Sequence, residues 1–425
     1  MFAAQLAPAL MRRGIHYGWV MVVLTFLVTL CVSGALGMLG ALLLPVQREL
    51  GWEASAISGA LALRLLLFGL IAPFAAALLA RYGLRRIIGL AMVLGITGCL
   101  LSMAVSAPWQ LWLCWGLLVG LGTGLAAQVL GAMVANRWFT ERRGLVLGVL
   151  TAAGASGQII FLPLVAWLAQ HEGWRVAMLP GVIACACVGV LMALFGADHP
   201  GNVGLPPYGE DRVIPPPAPP AGDPVRNALA TLTAALPDSG FWILAGSFLI
   251  CGLSTAGLVQ THFIPLCVEF GMPEVTAASV LAAMGAFNFV GTIASGWLSD
   301  RYDPRWLLFW YYGLRGLSLL VLPFSDFTVY GLSVFAVFYG LDWIATVPPT
   351  VKLVAQRFGR EPAPMLYGWI FAGHQLGSAI AAMAGGVSQD QLASVMPAFI
   401  AAGFLCLLAA VLVLGFRRPA AAVAA

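Results

Sequence analysis

Apolar residues in this 425-residue chain fall into long runs, and polar residues crowd into the gaps between them. Twelve runs stand out, near 17–44, 55–80, 85–105, 108–135, 144–170, 174–197, 241–268, 275–299, 304–323, 327–355, 364–388 and 393–416. Each is close to or above the roughly 20 residues a helix needs to cross a hydrocarbon layer about 30 Å thick. None alternates polar and apolar positions as a barrel strand does, and backbone in lipid must satisfy its own hydrogen bonds. The pattern therefore predicts an all-α membrane protein with twelve transmembrane helices. Residues 198–240 break the pattern with ten prolines, including Pro215-Pro216-Pro217 and Pro219-Pro220. That composition predicts a solvated, partly extended linker. It separates residues 1–197, with helices 1–6, from residues 241–425, with helices 7–12.

Two of the gaps carry the same punctuation. Ala76 to Arg86 and Gly296 to Arg305 are small basic clusters, with Arg81 and Arg301 in equivalent places 220 residues apart. A repeat at half the chain length predicts two pseudo-symmetric six-helix bundles, an architecture found mostly in transporters.

Composition sharpens this picture. Hydrophobic residues make up 61% and charged residues 9%, against roughly 25% charged in a soluble domain. Of the 21 Lys and Arg, seventeen fall in the termini, the linker and the loops on the same side as these. Only Arg48 and Arg175 fall on the far side, and Arg64 and Arg315 lie inside runs. Such asymmetry predicts cytoplasmic termini in a plasma (inner) membrane, embedded directly in the lipid bilayer. The net charge of +4 is then topology and implies no nucleic-acid partner. Arg12 and Arg13 precede the first run as in a signal peptide, but that run is too long for one, which predicts a retained helix. All eight cysteines fall within apolar runs and read as small apolar side chains. No metal-ligand spacing, cofactor motif or phosphate-binding glycine loop occurs, so neither a metal, a cofactor nor ATP drive is expected.

Polar side chains at mid-membrane cost at least ~2.5–3.5 kcal/mol when ionisable, so each needs a partner or a task. Arg64 lies in helix 2, Arg315 in helix 9 and Asp342 in helix 10. His374 and Gln375 lie ten or eleven residues into helix 11. Gln128, Gln158 and Asn288 lie in helices 4, 5 and 8, and His262 in the outer third of helix 7. Arg315 and Asp342, opposite charges at similar depth on adjacent helices, are expected to pair, and Asp342 is also a candidate proton site. His262 reads either as a helix-end hydrogen bonder or as a proton carrier. Gly116, Gly120 and Gly124 share one face of helix 4 and predict close helix packing. Pro348-Pro349 predicts a bend in helix 10.

Six plus six helices, a central linker and the repeated basic loop resemble the major facilitator superfamily, whose loop pattern is Gly-x-x-x-Asp-Arg-x-Gly-x-Arg. Gly296, Asp300, Arg301 and Arg305 match it, with Asp303 in place of the second Gly. The first copy keeps Arg81, Gly83 and Arg85 but has Ala76 and Ala80. Finer motifs resemble the monocarboxylate and oxalate porter branch: His16-Tyr17-Gly18-Trp19, Glu49-Leu50-Gly51-Trp52, Asn136-Arg137-Trp138-Phe139, Gly173-Trp174-Arg175 and Gln260-Thr261-His262-Phe263. The resemblance implies a monomer, not an enzyme, that moves a small organic anion together with a proton. It also implies that helices 1, 4, 7 and 10 line a cavity flanked by 2, 5, 8 and 11. That arrangement makes Arg64, Gln158, Asn288, His374 and Gln375 substrate-binding candidates, and Asp342, Arg315 and His262 candidates for proton coupling or a buried pair. Arg81, Arg85, Asp300 and Arg301 become gating candidates, with Asp300 expected to meet the start of helix 5 near Arg142, Arg143 and Gly144. The branch's animal members place an acid and an arginine on helix 8, where this chain has Asn288. The alternative is a proton-driven exporter of drugs or metabolites. Such exporters carry a Gly-Pro pair in helix 5, where this chain reads Gly154-Ala155-Ser156-Gly157-Gln158.

Overall fold

The computed structural model describes residues 2–34, 37–126, 129–216, 223–359 and 362–416. Among them nine helices are long and apolar enough to cross a membrane. Three further spans complete twelve: the continuous helix 5 (Arg143–His171) and two broken helices, 1 and 4. The other unbroken flanking helices are helix 2 (Ala54–Tyr82), helix 8 (Glu274–Arg301) and helix 11 (Ala363–Leu392). Helix 3 (Leu84–Ser102), helix 6 (Trp174–Phe195), helix 9 (Pro304–Val321) and helix 12 (Met396–Leu414) stand outside them.

Packing repeats with an offset of six. Helix 1 packs on 5 and helix 7 on 11; helix 2 packs on 4 and helix 8 on 10; helix 3 packs on 6 and helix 9 on 12. The halves meet along two related seams, helix 2 on 11 and helix 8 on 5. This is the pseudo-symmetry that the repeated loop implied.

Four apolar runs that read as single helices are irregular. Helix 1 consists of Gly18–Ser33, a 3₁₀ turn at Gly37–Leu42 and Leu43–Leu50. Helices 4 and 7 contain π-helical stretches at Trp112–Val119 and Leu253–Val259. Helix 10 runs Val329–Asp342, then resumes at Val347–Phe358. The glycines of helix 4 do bring it close to helix 2: a Cβ at Gly120 would sit 3.1 Å from the Cα of Arg64.

The linker is not simply solvated. Tyr208 N donates to Trp138 O (2.8 Å), and Thr140 N donates to Tyr208 O (2.9 Å). A helix at Pro224–Ala235, capped by Asp223, lies against helices 2 and 11, and Trp369 Nε1 donates to Ala228 O (3.0 Å). Proline-rich composition hides this helix, because Pro224 costs nothing at a first helical position. A further helix, Phe2–Met11, precedes helix 1.

His16 holds the linker to the first half. Its Nε2 donates to Pro206 O (3.0 Å) and its Nδ1 accepts from Gly18 N (3.1 Å), so the ring is seated neutral. Burial lowers its pKa below the ordinary histidine value, opposed in part by the bond to Pro206. The undocked chain therefore takes up the proton first as pH falls. Docking is fully favoured above the ordinary value and loosens as pH drops toward the lower docked-state value. Proteolysis within residues 209–216 is expected to speed up from about pH 8 to about pH 5, and a pH-independent cleavage rate refutes this.

Candidate functional site

The seam between helices 2 and 11 holds several buried polar groups with no partner in the protein. Arg64 is 8% exposed, and its Nε has no hydrogen-bond partner. Leu67 and Arg64 lie against Gly120 of helix 4, whose missing side chain lets helix 2 settle at this depth. One turn along, Phe68 meets Phe371 edge-on with centroids 5.7 Å apart. On helix 11, His374 stacks on Phe371 (5.6 Å, 11°), and its Nδ1 is unpartnered. Gln375 is buried with Oε1 unpartnered, and its stem closes on Gly69 of helix 2. A permanent cation and two neutral polar groups without protein partners thus lie on the two helices of the inter-half seam. Groups in this state cost energy unless a ligand or water completes them.

The second polar cluster is closed on itself. Arg315 Nε donates to Asp342 Oδ2 (2.6 Å), and both residues are buried. The guanidinium also donates to the main-chain oxygens of Asp342 (2.7 Å) and Trp343 (3.2 Å) and to Cys251 Sγ (2.9 Å). Those oxygens lie at the break in helix 10. Just beyond, Pro348 and Pro349 lack the N–H groups that would have met the oxygens of Ile344 and Ala345 in a continuous helix. The remaining loose ends are tied by helix 8: Asn288 Oδ1 accepts from Ile344 N (3.0 Å), and Ser295 Oγ donates to Ala345 O (2.5 Å). The bend that Pro348-Pro349 predicted is present, and Arg315 acts as its clamp. Asp342 Oδ1 keeps no partner.

The other candidates divide. Asn288, tied to the helix 10 break through Ile344, also accepts from Thr292 Oγ1 of its own helix (3.2 Å). His262 is buried and bonded through Nε2 to Ala382 O (2.8 Å), which joins helix 7 to helix 11. Gln128 and the side chains of Gln158 and Asp300 lie outside the described residues, and the Asp300 contact with helix 5 goes with them. Arg301 stacks over Trp297 (3.8 Å) and Arg81 over Tyr82 (5.7 Å). Arg85 donates to Ala193 O, and Lys352 donates to Ser299 O at the end of helix 8. Beside Lys352 a cavity of about 820 Å³ opens on the linker side, lined by Gly296, Ser299, Pro348, Val351 and Gln356.

The far side is latched between the halves. Asp390 of helix 11 accepts from Ala54 N (2.9 Å) and Ser55 N (2.8 Å), placing a carboxylate on the positive end of helix 2. Arg48 pairs with Glu274. Sequence reasoning passed over Asp390 because an acid at a helix end carries no signal by itself.

The sequence profile of the Major Facilitator Superfamily matches residues 25–382 and 296–424. This chain belongs to that superfamily. It is a multi-pass membrane protein with the fold of the superfamily's transporters. It is 24% identical over 399 residues to the uncharacterized MFS-type transporter YcxA of Bacillus subtilis, covering 89% of this chain and 90% of that one. It is 26% identical over 411 residues to monocarboxylate transporter 12-B of Danio rerio, covering 91% and 84%. Among solved structures, nucleoside transporter NupG superposes with a TM-score of 0.73 at 12% identity, covering 95% of this chain and all of that one. The D-xylose–proton symporter superposes at 0.69 and 14% identity, covering 94% and 98%.

Proposed function

We propose that this protein is a secondary active transporter that carries a small monocarboxylate-type anion with a proton by alternating access. It acts as a monomer in the plasma (inner) membrane with both termini cytoplasmic, and residues 1–197 and 241–425 are its two moving units. The observation that carries this reading is the buried Arg64 of helix 2, packed against Gly120 of helix 4 with its Nε unpartnered. A carboxylate leaving water needs a cation and strong donors. Arg64 supplies the charge, and His374 and Gln375 add hydrogen-bonding groups from the opposite half, so both halves can close on one ligand. The monocarboxylate transporters among the relatives support the same substrate class.

Proton coupling is assigned to Asp342. Its free Oδ1 can accept a proton while Oδ2 stays on Arg315. Neutralising the carboxylate weakens the pair and with it the clamp on the helix 10 break. The linker-side half of helix 10 is then free to swing. Arg81, Arg85, Asp300 and Arg301 set the linker-side gate.

Purified protein in liposomes, given labelled lactate, pyruvate and acetate, tests the reading. Uptake is expected to rise with an inward proton gradient and to collapse with a protonophore. Extrusion of cationic dyes with no acid uptake would establish an exporter instead. The far-side latch has its own test. Asp390→Asn removes a charge worth ~0.3–1 kcal/mol at a helix terminus, so the far-side-open population should rise about two- to fivefold. Labelling of a Ser58→Cys reporter by a membrane-impermeant thiol reagent reads that population, and an unchanged rate rejects the latch.

A further inference from the structure

We propose that the anion bound at Arg64 is an aromatic monocarboxylate, an assignment that rests on the anion-transport reading above. One turn along helix 2 from Arg64, the seam with helix 11 is built from rings. Phe68 meets Phe371 edge-on, Phe371 stacks on His374, and Phe248 lies 4.8 Å from His374 and 5.9 Å from Tyr367. Tyr367, Phe371, His374 and Gln375 follow the spacing of one helical face on helix 11.

Spacing along helix 2 fits the same class. Arg64 and Phe68 are one turn apart, about 6 Å along the axis, so a permanent cation and a ring of the seam are neighbours on one helix. Aromatic faces prefer aromatic partners in offset or edge-on geometry. Two polar atoms at the ring end are also unsatisfied: His374 Nδ1 and the buried Tyr367 hydroxyl. A hydrogen-bonding substituent on a ligand ring stacked in this seam would satisfy them.

The test is equilibrium binding to purified full-length protein, with phenylacetate, 4-hydroxyphenylacetate, cyclohexylacetate and lactate as probes. Phenylacetate is expected to bind about three- to tenfold more tightly than cyclohexylacetate, which has a similar size but no π face. Lactate is expected to bind more weakly than either. 4-Hydroxyphenylacetate should gain a further factor of about two to ten from its hydroxyl. Phe371→Leu should erase the phenylacetate–cyclohexylacetate difference, and Tyr367→Phe the hydroxyl gain, each in protein that melts as a single cooperative unit. If lactate binds as tightly as phenylacetate and Arg64→Gln abolishes both, the anion site stands and the aromatic assignment falls. If binding ignores Arg64→Gln, or no acid binds to correctly folded protein, the anion reading falls with it.

Discussion

Arg315→Met is expected to destabilise the folded protein by about 3–5 kcal/mol, because it leaves Asp342 as an uncompensated buried charge. The loss exceeds that of an ordinary ion pair, since the same guanidinium holds the main-chain oxygens of Asp342 and Trp343 at the helix 10 break. Asp342→Asn strands the Arg315 charge in its turn but leaves those main-chain bonds, so its cost should be smaller. The double variant Arg315→Met/Asp342→Leu separates the two contributions. It should recover the part due to the stranded charge and retain the part due to the unclamped break. Thermal unfolding in detergent, followed by loss of monodisperse protein, reads all three. A melting profile for Arg315→Met that overlays the parent's would show that the pair does not hold the break. Transport by Asp342→Asn should lose its dependence on the proton gradient while the protein stays folded.

Arg64→Gln should act in the opposite sense on stability and function. The guanidinium is buried with an unpartnered Nε, so removing its charge should leave the melting temperature unchanged or raise it. A charge-assisted bond to a carboxylate is worth about 1.5–3 kcal/mol, so affinity for monocarboxylates should fall by about 10- to 100-fold, and uptake should disappear at low substrate. A residue that costs stability and supplies function is the pattern expected of a binding site. Ligand-induced thermal stabilisation that is as large in Arg64→Gln as in the parent would refute this role.

The sequence announced what lies along one helix and hid what is completed by another. Twelve apolar runs and the repeated basic loop carry the fold, because lipid forces backbone bonds to be local and hydrophobic length is then a direct ruler. Arg315 and Asp342 are legible as partners because lone opposite charges in lipid have few other options. The bend at Pro348-Pro349 is legible from the missing donors. Its repair is not, because Asn288 and Ser295 reach it from helix 8, more than forty residues away in sequence. Asn288 therefore looks like a candidate for substrate until its Oδ1 is seen to be taken by Ile344. His262 is similar, since only the fold brings the Ala382 oxygen to it. Tyr367, Phe68 and Phe371 carry no mark in the sequence, and only the fold gathers them with His374 and Phe248 at the seam.

The irregularities also divide labour among the helices. Helices 2, 5, 8 and 11 run unbroken for 29, 29, 28 and 30 residues, while helices 1, 4, 7 and 10 are interrupted. At 1.5 Å per residue the unbroken four are about 42–45 Å long, well beyond a hydrocarbon core of about 30 Å. They are levers as well as walls. If the halves rock about a mid-depth fulcrum in the two seams, each tip lies about 20 Å from the pivot. A tilt of about 15° then displaces a tip by about 5 Å, the width of a carboxylate with its first water. Stiff rods joined to kinked ones turn a small rotation at the binding depth into an opening at the membrane surface. On the transport mechanism proposed above, the substrate's path would be controlled at the ends of helices whose binding groups sit at their middles.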